Sequence, residues 1–401
     1  MDISNNLEVF MKEEDMQQRI LAVARYHNGE SPESICASLR KSRSWLYKWV
    51  SRYDDDAHDA SWSESKSCRP QKAANITPAE TVEIVKLIRL ELYNRDLFFG
   101  AQAIQWEMED QGLAPLPSVR TINRILKRHS LTHRRTGQCE AKGTAYPALP
   151  SFKANQTHQA DLVGPCYLKG PVRFYSLNVI DTATVRCGLY PASSKASQPM
   201  IDGFWGIWRR LGMPNNLQVD NTLSFFGSRK HPRGMGPLIR LCLNHGIEPW
   251  FIPVAEPWRN GMIEQFNDRY QKMFLQKKLM YTEEELHAGS LAFEQRHNSQ
   301  YRFSKLKGKT PMKTLSESKI NLRFPKESDP PKHPLKKPET GRYHFVRLIR
   351  SNLKVDIFGE TFPVPPELKY EYVIATVNVK EQKLKLFLDK NQVEEYQYRL
   401  R

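Results

Sequence analysis

Three acidic residues stand out by their context. Asp161 lies within HQADLVG, flanked by Ala160, Leu162 and Val163; Asp220 ends the short strand in LQVDNT, behind Val219; Glu264 follows PWRNG in the first turn of a helix. A carboxylate inside an apolar strand has to be paired, metal-bound or placed at the strand's exposed end, because burying it unpaired costs several kcal/mol. Three of them brought to one sheet edge make an oxygen-rich site for hard divalent cations. Two such ions, roughly 4 Å apart, activate a nucleophile and stabilise the leaving oxygen of a phosphodiester. Taken singly, each acid is better explained by a structural role; the chemistry depends on all three converging.

The elements that must bring them together follow from periodicity. Strands are expected over 156–163, 172–180 and 186–190, then a helix over 198–211 with Met200, Ile201, Phe204, Trp205 and Trp208 inward. A short strand over 217–220, a helix over 235–245 and a strand over 248–252 come next. Asn260-Gly261 is a turn signal, and the helix after it, to about 279, carries Ile263, Phe266, Tyr270, Met273, Phe274 and Leu275 largely on one face. Glu264 then sits at the positive end of that helix. A further helix spans 282–300. Three antiparallel strands followed by strand–helix alternation is the order of a ribonuclease-H-like α/β sheet. Among neighbouring acids, Asp181 either caps the turn after the second strand or supports the site, the cap being favoured. Glu256 and Asp268 are expected to be surface groups or partners of Arg259 and Lys272.

Ahead of this core lie helical segments. Residues 14–26 form one helix. Ser31-Pro32 opens a second with a hydroxyl cap and Pro at the first helical position. A third, 43–53, buries Leu46, Trp49, Val50 and Tyr53 and presents Arg43, Ser44, Tyr47, Lys48 and Arg52 outward. That is a helix-turn-helix pattern whose last helix enters the major groove, against the alternative of a purely structural bundle. A polar linker over 55–75 leads to a second such module over 76–136. There Val82, Val85, Ile88 and Leu92 are inward on one helix, and Arg120, Asn123, Arg124, Lys127 and Arg128 are outward on another, with His133-Arg134-Arg135 continuing the charge. Beyond the core (150–302), 303–338 reads as a basic, Pro-rich linker. The alternating apolar residues of 339–401 read as a small all-β barrel that either touches phosphates or only docks.

Sixty basic against forty-four acidic residues in 401 give a net charge of +16 and a pI near 9.5, which suits a polyanionic partner, nucleic acid above all. No stretch approaches a membrane span, and the N-terminus lacks the basic-then-apolar order of a signal peptide. Six scattered cysteines without a C-x-x-C point to free thiols in a reducing cytoplasm. His129, His133 and Cys139 lack the fourth ligand of a zinc site.

Asp161, then Asp220-Asn221, then Asn260-Gly261-x-x-Glu264, behind helix-turn-helix segments, resembles the integrase-type catalytic core of DDE transposases and retroviral integrases, and more closely that of bacterial insertion-sequence transposases. The resemblance implies Mg²⁺- or Mn²⁺-dependent DNA cleavage by water, followed by strand transfer from the freed 3′-hydroxyl. It makes Asp161, Asp220 and Glu264 the ligands of two ions. It also implies double-stranded DNA partners (transposon ends and target), a homo-oligomer on DNA, and a cytoplasmic, nucleoid-associated bacterial protein. A DNA-binding regulator without catalysis and a metal nuclease that cuts without joining are the alternatives. Two departures from the family pattern stand out. Thr222 follows Asp220-Asn221 where Gly is usual, and the longer spacing from Asp220 to Glu264 places a surplus at 227–236, GSRKHPRGMG. Neither removes a ligand.

Overall fold

The computed structural model describes residues 3–55, 60–65, 77–132, 145–227 and 233–401. They fall into two compact units, Met1–Pro78 and Ala79–Arg401. The linker 55–75, the basic run after Leu131-Thr132, Cys68, Cys139 and the middle of 227–236 lie largely or wholly outside the described residues.

The first unit is three helices: α1 (Ile3–His27), α2 (Pro32–Leu39) and α3 (Arg43–Asp55). Ser31 caps α2 through its hydroxyl, with Pro32 in the first turn, so that end nucleates as its sequence dictates. Arg40, in the left-handed region at φ 54°, turns the chain into α3. Ala22, Val23, Ile35, Leu46, Trp49 and Val50 form the core. The buried Arg19 guanidinium stacks 4.2 Å from the Trp49 ring centroid and donates to the Ser63 carbonyl at 2.8 Å.

In the second unit α4 (Ala79–Asn94), α5 (Ala101–Asp110) and α6 (Val119–Arg128) precede the sheet. Val85, Ile88 and Leu92 are buried as their spacing requires, and Ser118 caps α6. These helices were expected to stand as a module of their own. Instead their apolar faces share one core with Phe174, Ile180, Ile263, Phe266 and Phe293. Polar ties reinforce it: Asp96 pairs with Lys277 and Arg296, and Arg302 with Asp110.

The sheet opens with β1 (Thr157–Tyr167), β2 (Arg173–Asp181) and β3 (Cys187–Ala192), antiparallel in sequence order. After α7 (Ser197–Leu211), β4 (Asn216–Val219) joins the other side of β1 in parallel. The short α8 (Leu223–Phe226) and then α9 (Pro237–Asn244) lead to β5 (Glu248–Phe251), parallel to β4. This mixed sheet has the ribonuclease-H-like order. Helix α7 packs tightly on β3: a Cβ at Gly188 would lie 2.5 Å from Ile207, and one at Gly203 would lie 2.9 Å from Tyr190. Trp205, Trp208 and Phe204 are wholly buried there, each contributing about 1.5–3 kcal/mol or more by burial alone.

Helix α10 (Gly261–Tyr270) runs on through a π-helical turn, Gln271–Leu275, and α11 (Glu283–Ser299) and α12 (Pro311–Glu317) follow. The Pro-rich stretch expected as a linker is held along the core. Met213 bridges Arg323, Gln198 binds the Pro331 carbonyl and the His333 amide, and Leu335 is buried.

The C-terminal strands depart from expectation. They are β6 (Arg342–Leu348), β7 (Lys354–Ile357), β8 (Glu360–Pro363), β9 (Tyr372–Asn378), β10 (Lys383–Leu388) and β11 (Asn391–Gln397). Strand β6 pairs with β5 in parallel, and β9, β10 and β11 continue outward, giving nine strands in the order β11-β10-β9-β6-β5-β4-β1-β2-β3. Strands β7 and β8 form a separate hairpin. Strand pairing therefore does not close 339–401 into a separate barrel. The physical reason is the apolar edge of β5: Phe251 stacks on Phe345 at 5.0 Å and Trp250 on His344 at 3.9 Å, covering a strand that would otherwise end the sheet.

Candidate active site

Register sets the site. Strands β1 and β4 align Thr157 with Asn216, His158 with Leu217 and Gln159 with Gln218. Continued two steps beyond its last pair, this register would set Asp161 against Asp220, which directly follows β4. Glu264 comes from α10, which packs on β1 and β2. Its first turn is fixed by strand residues: the Gln159 side-chain oxygen accepts from the amides of Met262 at 3.2 Å and Ile263 at 3.1 Å. These are amides that a helix N-terminus leaves without an internal partner. The buried Asn260 donates to the Ala160 carbonyl at 3.1 Å and accepts from Gln218 at 3.2 Å, clamping the helix start across β1 and β4.

The expected turn at Asn260-Gly261 is not a break. Pro257–Asn260 is a 3₁₀ turn and Gly261 is already helical at φ −59°. Asn260 matters for its amide, and a Cβ at Gly261 would meet nothing within 4 Å.

Asp161 feels the charge of both other acids. Burial raises the Asp161 pKa above its ordinary value, and the charges of Asp220 and Glu264 raise it further; the Leu162 amide (2.8 Å) and Asn267 (2.6 Å) oppose this by donating to it. Asp220 accepts from the Thr222 amide at 3.0 Å and the Thr222 hydroxyl at 2.5 Å. Glu264 makes no hydrogen bond or ion pair with a described residue, and none of the three pairs with a described Lys or Arg. In a chain of net charge +16, an edge with three half-buried acids and no cation against them is poor for stability and suited to divalent cations. Among the described residues, no group of three or more His, Cys, Asp and Glu side chains is gathered closely enough to hold a metal ion. The acids are thus coupled through charge without forming a closed ligand shell.

Around them, Asp181 serves the turn. It accepts from the Asn155, Ala183 and Thr184 amides and the Thr184 hydroxyl, with the Arg186 charge nearby. Glu256 pairs with Arg259 at 3.0 Å and Asp268 with Lys272 at 2.7 Å. Thr222 takes φ −65°, so the position after Asp220-Asn221 needs no left-handed backbone and no glycine here.

Residues 13–62 match a homeodomain-like domain and residues 245–311, which include Glu264 and its loop, match an integrase core domain. These two domain matches support a likeness to DDE transposases and integrases. Solved structures similar to this chain include the HTLV-2 integrase catalytic core domain in complex with magnesium, in its trimeric form, at 16% identity, covering 40% of this chain and 96% of that one with a TM-score of 0.31. The simian T-cell lymphotropic virus intasome in complex with the PP2A regulatory subunit B56 gamma matches at 14% identity over 73% and 88%, TM-score 0.35. The BIV integrase catalytic core domain matches at 15% over 41% and 95%, TM-score 0.30. At such scores the structural likeness is slight, and the assignment rests on the domain matches. No curated relative matches the chain. No helix among the described residues is long and apolar enough to cross a membrane.

The sequence-selected DNA faces are open within their own units. Arg43, Ser44, Tyr47 and Lys48 are exposed on α3, and Arg52 is half-buried, lying 4.7 Å from the Trp49 ring. Arg120, Asn123, Arg124, Lys127 and Arg128 are exposed on α6. Sequence reasoning missed the polar residues Gln159, Asn178 and Asn267 around the acids, and took Asn260 for a turn residue. Their one signal was being amides inside otherwise apolar strands and a helix face.

Proposed function

We propose that this chain is a DNA transposase or integrase that cuts DNA strands and transfers them, with Asp161, Asp220 and Glu264 holding two Mg²⁺ or Mn²⁺ ions. What supports the reading is that the charges of Asp220 and Glu264 both reach the half-buried Asp161, with no described Lys or Arg paired to any of the three, in a chain whose residues 245–311 match an integrase core domain. The oxygen-only donor set fits these ions. Bound there, the ions would supply Lewis-acid activation of water or a 3′-hydroxyl and stabilisation of the leaving oxygen. The chain's own residues do the positioning. Asn267 orients the Asp161 carboxylate, Thr222 orients that of Asp220, and Gln159 with Asn260 fixes the helix end that presents Glu264.

DNA ends are gripped by the outer face of α3 through Arg43, Ser44, Tyr47, Lys48 and Arg52, and by α6 through Arg120, Asn123, Arg124 and Lys127. Such contacts are dominated by phosphate neutralisation. Joining two ends to a target requires two active sites, hence a homo-oligomer on DNA, acting in the bacterial cytoplasm at the nucleoid.

A strand-transfer assay on DNA carrying the element's own ends tests this, with Mg²⁺ or Mn²⁺ and the variants Asp161→Asn, Asp220→Asn and Glu264→Gln. Cut and joined products that vanish in all three variants are expected. Active variants would overturn the ligand assignment. End protection without any metal-dependent product would make the chain a regulator, and cutting without joining would make it a nuclease.

A further inference from the structure

Arg347 is a buried arginine on β6, far along the sequence from the acids. Four of its five N–H donors are committed. It donates to the carbonyls of Asp356 at 3.1 Å, Val346 at 2.9 Å and Ile252 at 3.1 Å, and to the Asn221 side-chain oxygen at 2.9 Å. Asn221 is the residue after Asp220, and its own amide donates to the same Ile252 carbonyl at 2.6 Å. Ile252 is the first residue past β5, on the loop that leads to Glu264, and its amide binds the Val219 carbonyl at 3.1 Å.

The two loops that carry Asp220 and lead to Glu264 are therefore tied to each other and to a C-terminal strand through one planar fork. A guanidinium suits this place because its donors diverge in a fixed plane, and a lysine cannot reach all four acceptors. The second tie is Tyr372 on β9, whose hydroxyl donates to Glu256 at 2.8 Å and accepts from Arg259 at 2.9 Å on the same loop.

We propose that Arg347 is a positioning residue for the acidic site, acting through Asn221 and Ile252, so that the C-terminal strands are part of the active site's framework. This rests on the carboxylate reading above. Arg347 touches no acid of the triad; it fixes the backbone from which Asp220 projects.

The test is Mn²⁺ titration of the full chain, following the free-ion signal by electron paramagnetic resonance, for wild type, Arg347→Lys, Asn221→Ala and the double variant, with folding checked by circular dichroism. Each single variant is expected to weaken Mn²⁺ binding about tenfold, the lower end of what losing a supporting partner costs. The double variant should be no weaker than the worse single one, because both break the same link. Folded variants within about twofold of wild type overturn the proposal, as do effects that multiply in the double variant. If Arg347→Lys does not fold, Asn221→Ala decides alone by the same criterion. Asp220→Asn and Glu264→Gln serve as controls. Wild-type affinity in those two sinks the carboxylate reading and this inference with it, a pattern distinct from affinity lost in the acids but kept in Arg347→Lys and Asn221→Ala.

Discussion

Asn267 donates to Asp161 at 2.6 Å from the same helix that presents Glu264. Its amide cannot turn round, because Asn178 on β2 donates to the Asn267 oxygen at 2.8 Å and Ser176 in turn donates to Asn178 at 2.7 Å. The relay fixes which end of each amide faces the acid. Asn267→Leu should leave Asp161 without its orienting donor and Asn178 with an unmet buried donor. We expect divalent-metal affinity, read by Mn²⁺ titration, to fall about 10- to 100-fold, with a stability loss of about 1–3 kcal/mol in urea unfolding. Unchanged metal affinity would show that the relay only packs the helix.

The pH dependence follows from Asp161. Burial, then the charges of Asp220 and Glu264, raise its folded pKa above the ordinary carboxylate value of about 3.9. The unfolded chain thus loses this proton at lower pH than the folded one. The contribution to stability is fully present below the unfolded value and is lost as pH rises through the folded one. Thermal melts with a chelator should therefore show wild type losing stability relative to Asp161→Asn as pH is raised from about 4. A difference that is flat with pH would remove Asp161 from that balance. Because metal and proton compete for the same oxygens, the acid limb of cutting activity should move to lower pH as Mg²⁺ is raised.

Divalent metal should also stabilise the folded chain by mass action. In wild type, Mn²⁺ at about a hundredfold over its dissociation constant is worth roughly 2.7 kcal/mol, a shift of a few degrees or more in melting temperature. Asp161→Asn, Asp220→Asn and Glu264→Gln should abolish that shift. Glu264→Gln is the cleanest of the three, since Glu264 makes no hydrogen bond or ion pair with a described residue. A variant that keeps the full shift is not missing a ligand.

Much of this site was legible in the sequence. Asp161 interrupts an apolar strand, Asp220 directly follows one, and Glu264 lies in the first turn of an amphipathic helix; local pattern singles out all three. What local pattern cannot hold is pairing. Asn178 and Asn267 meet across 89 positions and Arg347 and Asn221 across 126, so nothing in their neighbourhoods says which residue each one meets. The same limit explains the C-terminal strands. Their alternation gives strands, whereas the apolar edge of β5 that recruits β6 lies elsewhere in the chain. Asn260-Gly261 misled for a different reason: Asn-Gly is a turn signal on average, and here Asn260 is retained for the clamp its side chain makes.

On α3, Arg43 pairs with Glu33 and remains exposed, while Lys48 is exposed beside Trp49. An exposed ion pair is worth little to stability, so Arg43→Ala and Lys48→Ala should leave the fold intact. Each should weaken binding to end DNA and lower the slope of log affinity against log salt by about one. Titrations at several salt concentrations decide this, and an unchanged slope would take that side chain off the phosphate backbone.

Thr222 stands where the family carries glycine, and here the residue does something glycine cannot. Its hydroxyl and amide both donate to Asp220, at 2.5 and 3.0 Å, and its φ of −65° is open to any residue. Thr222→Ser keeps both donors and should behave as wild type. Thr222→Val keeps the shape and the amide but loses the hydroxyl, freeing one Asp220 oxygen to rotate, so metal affinity should drop by up to about tenfold. Thr222→Gly loses the same hydroxyl and gains backbone freedom; it should fall at least as far as Val. If Gly instead matches Ser while Val is impaired, the position is governed by bulk near Asp220, and the hydroxyl has no part in orienting the carboxylate.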